Sequence, residues 1–350
     1  MESIKINKLP VPTWTWLKVN DKNVKVPSEV VQADMDLMNI PEEVNIGAIS
    51  FSAISLGEQE LGAGDEFRKF SDKSGVGVTS FTVPAGTKCS ETLRLSFDYS
   101  GMGDAAEFLS RTAFVLGEEA ELTCVIMYKG MASFAASDIR IKAAKKAKFT
   151  LVEIIQLEDG SQFVGSIGGR YKEKGGLRLI QISSGKGNVT LSCAADLNEY
   201  KSTLEIETGY LTTGNDNLDI NYVARHRGKN TDTKIAVNGV LRDTASKTFR
   251  GTIDFIKGCK DATGDEREDV LLMDEGVHNV TVPLILCAEE DVEGAHGASI
   301  GKISDEVMFY LQTRGIPEDD IIELLANSRI TAIASRIPDE ETKKLFIEEE

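Results

Sequence analysis

Two residues near the carboxyl end of the chain, His296 and Cys287, have side chains that can bind or transform chemical groups. His296 is one of three histidines, and small residues surround it in the segment Glu-Gly-Ala-His-Gly-Ala-Ser. A neutral imidazole ligates iron and related transition metals, and it exchanges protons near neutral pH. Cys287 ends the apolar run Pro-Leu-Ile-Leu-Cys, which predicts a buried thiol. We therefore rank His296 above Cys287 as a functional group.

Three further patterns resemble known motifs without meeting their requirements. Gly297-Ala-Ser-Ile-Gly301 has the form of a nucleophile elbow, but no histidine follows it as the hydrolase triad requires. Glycine clusters at 165–169, 175–176 and 185–187 lack the spacing of phosphate-binding loops, so they indicate tight turns. The acidic segment 261–269 does not have EF-hand spacing. It predicts a solvated loop, with weak binding of a hard cation as the alternative.

The five cysteines are well separated and form no Cys-x-x-Cys pair. Such spacing argues against a disulfide framework and against a zinc site. We expect reduced and mostly buried thiols. The five are Cys89, Cys124, Cys193, Cys259 and Cys287.

The composition restricts the partners of the chain. The sequence has 350 residues and a formal net charge of −17, and no long basic run is present. Binding to a phosphate backbone needs clustered Lys and Arg, so nucleic-acid binding is disfavoured. The apolar runs are shorter than a membrane span, and the first residues lack a signal-peptide pattern. We expect a cytoplasmic protein that does not bind membranes.

From residue 71 onward, short β-branched runs alternate with turn residues. Many runs have a period of two, as in Leu204-Glu-Ile-Glu207. Few helical patterns separate these runs, the candidates being residues 104–110 and 139–147. This scarcity of helices excludes a doubly wound α/β fold. Two all-β architectures remain open: sandwiches or barrels with hairpins, and a solenoid whose strands recur about every fifteen residues.

The two ends differ from this β-rich region. Residues 1–70 predict a small N-terminal region with a short helix over Val30–Met38. Its two tryptophans, Trp14 and Trp16, are expected to pack the arm onto a neighbouring surface. Residues 303–350 predict a helical tail, with Ser304 as N-cap and Gly315 just beyond the first helix.

The resemblance to a known family rests on three segments of this sequence. They are EEDVEGAHGASIGKISDEVMFYLQTRGI (residues 289–316), TDTKIAVNGVLRDTASKTFRGTIDFIKG (231–258) and EREDVLLMDE (266–275). Together they resemble the SufB/SufD family of scaffold subunits in SUF iron–sulfur cluster assembly, and the SufD branch more closely than the SufB branch. The resemblance implies a right-handed parallel β-helix over residues 71–302, which decides between the two all-β architectures.

The resemblance also implies a non-enzymatic scaffold with two kinds of partner. A SufB-like paralogue would pair through strands near 281–288, and a SufC-type ABC ATPase would dock on the helical tail. The expected docking residues are Phe309, Ile321, Leu324 and Leu325. His296 stands at the position of the family's motif histidine. It would therefore hold transient iron or a nascent iron–sulfur cluster at the subunit interface, with no stably bound cofactor.

One position departs from the SufB branch, and two other functions stay open. Glu268 stands where SufB-type chains carry the sulfur-accepting cysteine, so sulfur acceptance is not expected here. Cys287 is the lower-ranked thiol near the same end. The alternatives are a homodimeric scaffold without a paralogue and a carbohydrate-active β-helix enzyme, which would need carboxylates along one face of the solenoid.

Overall fold

A computed structural model describes residues 2–52, 60–100 and 107–347 of the chain. These residues form a parallel β-solenoid of about seven coils, followed by helices. Consecutive strands alternate between two sheets, so each strand pairs with the strand two positions along the chain. The predicted all-β class and the parallel β-helix architecture are therefore confirmed, while the right-handed winding stays a prediction.

The elements follow one another in a regular order. The strands are β1 (Glu2–Ile6), β2 (Lys22–Val26), β3 (Val31–Gln32), β4 (Asp36–Asn39), β5 (Asn45–Ala48), β6 (Thr79–Val83), β7 (Leu93–Asp98), β8 (Glu107–Leu116), β9 (Glu121–Gly130), β10 (Phe134–Ala143), β11 (Lys148–Leu157), β12 (Gln162–Tyr171), β13 (Gly176–Ser183), β14 (Asn188–Leu197), β15 (Thr203–Thr212), β16 (Asn217–His226), β17 (Asp232–Leu241), β18 (Ser246–Phe255), β19 (Ala262–Leu272), β20 (His278–Cys287) and β21 (Val292–Gly301). The helices are a 3₁₀ turn (Thr15–Leu17), α1 (Asp65–Lys73), α2 (Asp305–Thr313), α3 (Glu318–Ala334) and α4 (Glu340–Lys343).

Two sheets make the walls of the solenoid. Sheet 1 has the order β20-β18-β16-β14-β12-β10-β8-β6-β5, with β3 also paired to β8. Sheet 2 has the order β21-β19-β17-β15-β13-β11-β9-β7-β4. Pairing is parallel except where β4 and β5 join at the start. At the opposite end, β20 and β21 are the last strands, so the final coil is the edge of both sheets.

The corner between sheet 1 and sheet 2 repeats from coil to coil. A residue in the left-handed region occupies the same corner at Glu119, Lys146, Lys174, Lys201 and Asn230. The amide of Lys146 donates to the carbonyl of Glu173, and that of Lys174 donates to Tyr200, so each corner is bonded to the next coil. This repetition accounts for the roughly fifteen-residue spacing of strands in the sequence.

The inside of the solenoid is packed by alternate residues of each strand, but it also contains polar groups. Tyr128 donates a hydrogen bond of 3.2 Å to Glu153, and the Gln181 amide donates one of 2.6 Å to the same carboxylate. The Tyr222 hydroxyl donates to the Gln181 carbonyl oxygen at 2.5 Å. Burial raises the pKa of Glu153 to about 7, since neutral donors alone surround it.

An N-terminal hairpin, formed by β1 and β2, covers the outer face of sheet 1. Ile4, Ile6, Val24 and Val26 are buried against that sheet and against α1. The predicted helix over Val30–Met38 is wrong, because β3 and β4 lie there and extend the two sheets. Short segments that pair with an existing sheet satisfy their backbone groups without a helix.

The C-terminal tail covers the outer face of sheet 2 instead of capping the open end. Helix α3 packs across β13, β15 and β17. Ile330 and Ile333 of this helix contact a cluster that includes Ile180 and Ile182 of β13. Farther along the tail, Arg94 of β7 pairs with Asp339 at 2.7 Å and Glu341 at 2.8 Å. The tail thus runs back over the solenoid from its last coil toward its first.

The predicted domain limits at residues 70 and 302 stay a prediction. Helix α1 spans the first position, and β21 ends one residue before the second. The predicted helix over Ile139–Ala147 is wrong, because residues 139–143 belong to β10 and the rest of the segment follows that strand. A second helical candidate, 104–110, lies partly outside the described residues, and its described part belongs to β8. Among the described residues, no helix is long and apolar enough to cross a membrane.

Candidate functional site

The open end of the solenoid exposes a surface that is buried in every earlier coil. Inward-facing residues of β17 and β19 are covered by the next coil, whereas none of the described strands lies beyond β21. The residues of β20 are half-buried for most of its length, and those of β21 are largely exposed. The final coil therefore presents both its side chains and the unpaired backbone groups of two edge strands.

His296 lies in the middle of β21, at the mouth of the solenoid interior. In the parallel register, Gly294, His296 and Ala298 continue the columns of Gly264, Glu266 and Glu268. Since these three residues of β19 are buried, His296 faces the interior and not the outer surface. The residues two positions before and after it on β21, Gly294 and Ala298, have little or no side chain. The imidazole is therefore exposed and accessible from beyond the edge.

A buried ion pair forms the floor beneath this mouth. The Lys247 ammonium on β18 pairs with the Glu268 carboxylate on β19, and both side chains are almost fully buried. The Thr281 hydroxyl on β20 donates a further hydrogen bond of 2.5 Å to Glu268. Burial lowers the pKa of Lys247, and the adjacent Glu268 opposes this effect. The pair joins three consecutive strands of the last two coils.

Glu266 is a second buried carboxyl group, directly below His296 in the register. Its carboxylate extends across the interior to Gly251 of β18, where a β-carbon would collide with its oxygens. Burial, together with the negative charge of Glu268, raises the pKa of Glu266 to about 8. A carboxyl group with this pKa is mostly protonated at neutral pH. It can then donate as well as accept a hydrogen bond.

Cys287 is exposed, so the prediction that it is buried is wrong. Its register partner in the preceding coil is Phe255, which is buried. Cys287 itself lies in the last coil, where no described strand covers its thiol. The thiol donates to the carbonyl oxygen of Glu289 at 3.0 Å. Glu266 reaches Gly251 across the interior, and the register continues these two positions to His296 on β21 and Pro283 on β20. Cys287 therefore shares the open end with His296 without facing it.

The other two histidines differ in their surroundings. His226 is buried, its Nδ1 lies 2.7 Å from the Thr231 hydroxyl, and burial lowers its pKa to about 4. It is therefore a neutral core residue. His278 is exposed at the start of β20, on the same open coil as His296.

The acidic segment 261–269 is not a loop, so that prediction is wrong. Most of it belongs to β19, in which the even-numbered residues from 262 to 270 are buried. Sequence reasoning overlooked Lys247, Glu266 and Thr281 as parts of the site. The alternation of Gly264, Glu266, Glu268 with Asp265, Arg267 and Asp269 is a period-two signal. The high charge of the segment obscured it.

The four predicted docking residues of the tail have different exposures. Phe309 is 68% exposed and Leu324 is 57% exposed, whereas Leu325 is half-buried. Ile321 is fully buried within the chain, so its prediction as a surface contact is corrected. The apolar residues predicted from the sequence in α3 belong to two faces of this helix. One face packs against the solenoid, and the other is exposed. The exposed apolar residues beside Phe309 are Val307 and Tyr310.

The described residues contain no group of three or more His, Cys, Asp or Glu side chains arranged to hold a metal ion. His296 and Glu266 are adjacent in register but belong to different solvent environments, one exposed and one buried. Of the two groups, the imidazole of His296 is the one that is accessible from beyond the edge, and an exposed imidazole can act as a metal ligand.

The family model and the curated relatives that match this chain belong to one family. Residues 99–329, about two thirds of the chain, match the family model described as SUF system FeS cluster assembly, SufBD core domain. Bacillus subtilis SufD is 30% identical over 122 residues, which cover 35% of this chain and 28% of that protein. Bacillus subtilis SufB is 27% identical over 113 residues, or 32% of this chain and 24% of that protein. These matches span about a quarter of the length of either relative.

Proposed function

We propose that this chain, which belongs to the SufBD core family of the SUF system, is a SufD-type scaffold subunit for iron–sulfur cluster assembly. The observation that carries the proposal is the open last coil, where His296 lies at the mouth of the interior beside two unpaired edge strands. Such an end supports assembly with another subunit. It also brings an imidazole to the junction.

The partner in this proposal is a SufB-like paralogue that pairs with the edge strand β20. A strand at a sheet edge presents unpaired N–H and C=O groups, and a second strand satisfies them. The residues expected from the sequence, 281–288, lie in β20 or directly after it. Pro283 lacks an N–H group, so pairing would rely on its neighbours along the strand.

The chain would act as a scaffold, not as an enzyme or a sulfur acceptor. Glu268 occupies the position of the sulfur-accepting cysteine in the SufB branch, and here it is enclosed in an ion pair with Lys247. A carboxylate cannot form a persulfide, and this one is also shielded from solvent. Sulfur would therefore be delivered by the paralogue. The present chain would supply His296 as a ligand for iron, which is the cargo of the assembly.

The SufC-type ATPase would dock on the exposed apolar side of α2 and the start of α3. Phe309 and Leu324 present their side chains to solvent there. Because α3 is packed firmly on sheet 2, a movement of the docked ATPase would be transmitted to the solenoid. The β20–β21 end is adjacent, since α2 follows β21 after three residues.

The test is reconstitution of the chain with a SufB-like paralogue and a SufC-type ATPase, followed by mass determination and an assay of cluster formation. His296→Ala is expected to leave the complex intact and to lower the rate of cluster formation by about tenfold or more, the scale of changes around a metal centre. His278→Ala is the matched control, because it removes an exposed imidazole from the same coil.

Two results would contradict the proposal. If the chain binds neither partner, the scaffold function with those partners fails. If the complex forms and His296→Ala assembles clusters as fast as His278→Ala, the assignment of His296 fails while the scaffold function stands. A homodimer that assembles clusters without the paralogue would support the alternative of a self-sufficient scaffold.

A further inference from the structure

The loop between β1 and β2 carries the two tryptophans of the chain, and neither packs against the solenoid. Trp14 is 72% exposed and Trp16 is 69% exposed. Val11 and Leu17 of the same loop are also exposed, at 48% and 46%. The described part of the chain therefore does not cover these tryptophans, and their packing onto a neighbouring surface stays a prediction. Four exposed apolar side chains in one short loop are more than a monomer needs.

The loop has a defined shape in spite of its exposure. The amide and the hydroxyl of Thr13 both donate to the side-chain oxygen of Asn20, at 2.7 and 2.9 Å. The Asn20 side-chain amide donates back to the Thr13 carbonyl at 3.1 Å. A 3₁₀ turn at Thr15–Leu17 then holds the two indole rings edge to face, with their centroids 6.0 Å apart. An ordered apolar loop of this kind loses little conformational entropy on binding.

The contacts of the hairpin show the direction in which it points. Lys25 accepts a hydrogen bond from Gln162 at the start of β12, and Lys22 contacts Asn217 at the start of β16. The Val19 carbonyl accepts from Arg250 of β18 at 2.6 Å. These contacts step across sheet 1 from β12 through β16 to β18, toward the edge strand β20.

These contacts direct the tip of the hairpin toward the open edge of sheet 1. Strands in a sheet are about 4.8 Å apart, so β20 is one such step beyond Val19, and an extended residue spans about 3.3 Å. The loop residues from Pro10 to Lys18 lie beyond the last backbone hydrogen bond between the two arms of the hairpin, which the Leu9 amide donates to the Asn20 carbonyl. No described strand lies beyond β20 in sheet 1 to cover a loop that points this way.

We propose that the loop with Trp14 and Trp16 is a second contact of the subunit interface, and that it packs on the outer face of the paralogous solenoid. This inference rests on the proposed function, because the paralogue continues sheet 1 past β20. Its edge strands would then lie directly beneath the overhanging indole rings. The loop thus fits a partner of the same solenoid fold whose outer face has an apolar depression near its own edge.

The size of the open end supports a second contact. Ten-residue strands span about 33 Å, and packed sheets are about 10 Å apart, so the cross-section of one coil is about 330 Å². A stable interface covers about 800 Å² on each partner. The coil edge alone is therefore small, and two tryptophans, each burying about 150–250 Å², supply much of the remainder.

The first test is a binding titration of the purified chain against the SufB-like paralogue. The double variant Trp14→Ala/Trp16→Ala is expected to raise the dissociation constant by about 30-fold, as expected for loss of an aromatic hot spot. Its melting temperature should stay that of the wild type, because both side chains are exposed. Tyr200→Ala is the matched control, since Tyr200 is an exposed aromatic residue on a corner of the solenoid.

The second test labels this chain alone with 5-fluorotryptophan and records ¹⁹F spectra as unlabelled paralogue is added. Both resonances should shift in the complex, and single Trp→Phe variants assign them. If the double variant binds as tightly as the wild type, and the wild-type resonances do not move on binding, this inference fails and the proposed function stands. If the wild type does not bind the paralogue, the proposed function fails. Resonances that shift with self-association alone would assign the loop to a second copy and overturn the paralogue assignment.

Discussion

Replacing Lys247 with methionine should detach the last coil while the rest of the solenoid stays folded. The Lys247 ammonium is fully buried, and its partner Glu268 is 1% exposed. Removing one member of a buried pair leaves an unpaired charge and costs about 3–5 kcal/mol. Thr281 would remain as a hydrogen-bond donor to Glu268, and one hydroxyl does not replace an ammonium group.

The expected loss is as large as the stability of one coil or larger. Folded proteins have about 0.05–0.15 kcal/mol of stability per residue, so the roughly 30 residues of the last coil contribute about 1.5–4.5 kcal/mol. In a solenoid each coil contacts only its neighbours, and the end coil has one neighbour. The loss therefore opens β20 and β21 locally instead of unfolding the chain.

Hydrogen exchange measured by mass spectrometry would locate this change. In Lys247→Met, amides of β20 and β21 should exchange about 100-fold faster or more, while those of β10 and β12 keep their protection. Lys260→Met is the control, because Lys260 pairs with Asp291 in an exposed ion pair and little change is expected. The double variant Lys247→Met/Glu268→Leu should recover most of the protection, since an apolar pair can replace a buried ion pair.

Wild-type protection of β20 in the variant would refute the reasoning. Equal loss of protection across all coils would refute its local character.

Two other predictions concern the interior and the tail. Burial raises the pKa of Glu153 from its ordinary value of 4.5 to about 7, so the folded state keeps this proton to a higher pH than the unfolded state. The stability that this provides is present below about pH 4.5 and is lost as the pH rises through about 7, a change of up to about 3 kcal/mol. Glu153→Gln should remove that part of the slope in urea titrations at pH 5 and pH 8, and an unchanged slope would contradict the assigned burial. Leu324→Asp should weaken binding of the SufC-type ATPase by about tenfold or more with little change in melting temperature, because Leu324 is exposed. Leu345→Asp, which changes an equally exposed leucine farther along the tail, should bind as the wild type, and equal weakening by both would contradict a specific dock.

The strands of the solenoid could be predicted because their local pattern and their burial agree. Leu204 and Ile206 alternate with Glu205 along β15, and the first two are buried while Glu205 is exposed. Such alternation is set by the pleat of a strand and needs no knowledge of distant residues. The start of α2 could be predicted from an equally local signal. Ser304 caps it by accepting a hydrogen bond of 3.2 Å from Val307, as its side chain and position predict.

The candidate site could be predicted only in part. His296 was identified by its motif, and its accessibility follows from β21 being the last strand of its sheet. The burial of Glu266 and Glu268 could not be predicted from their charge. Their environment depends on Lys247 and Gly251, which belong to a different strand and sheet. Sequence distance hides such pairs, because the contact forms only when the coil closes.

The sequence by itself determined the all-β character, the spacing of the strands and the position of the helical tail, because each depends on periodicities within a few residues. Only the tertiary structure decided which outer faces are covered. The N-terminal hairpin lies on sheet 1, and α3 lies on sheet 2 over Ile180 and Ile182, which makes both faces of β13 apolar. The structure also decided that Ile321 is buried while Trp14 is exposed. Both residues are strongly apolar. Whether each is buried depends on what covers it, the packing of α3 for Ile321 and the placement of the hairpin loop for Trp14, and no local pattern records either.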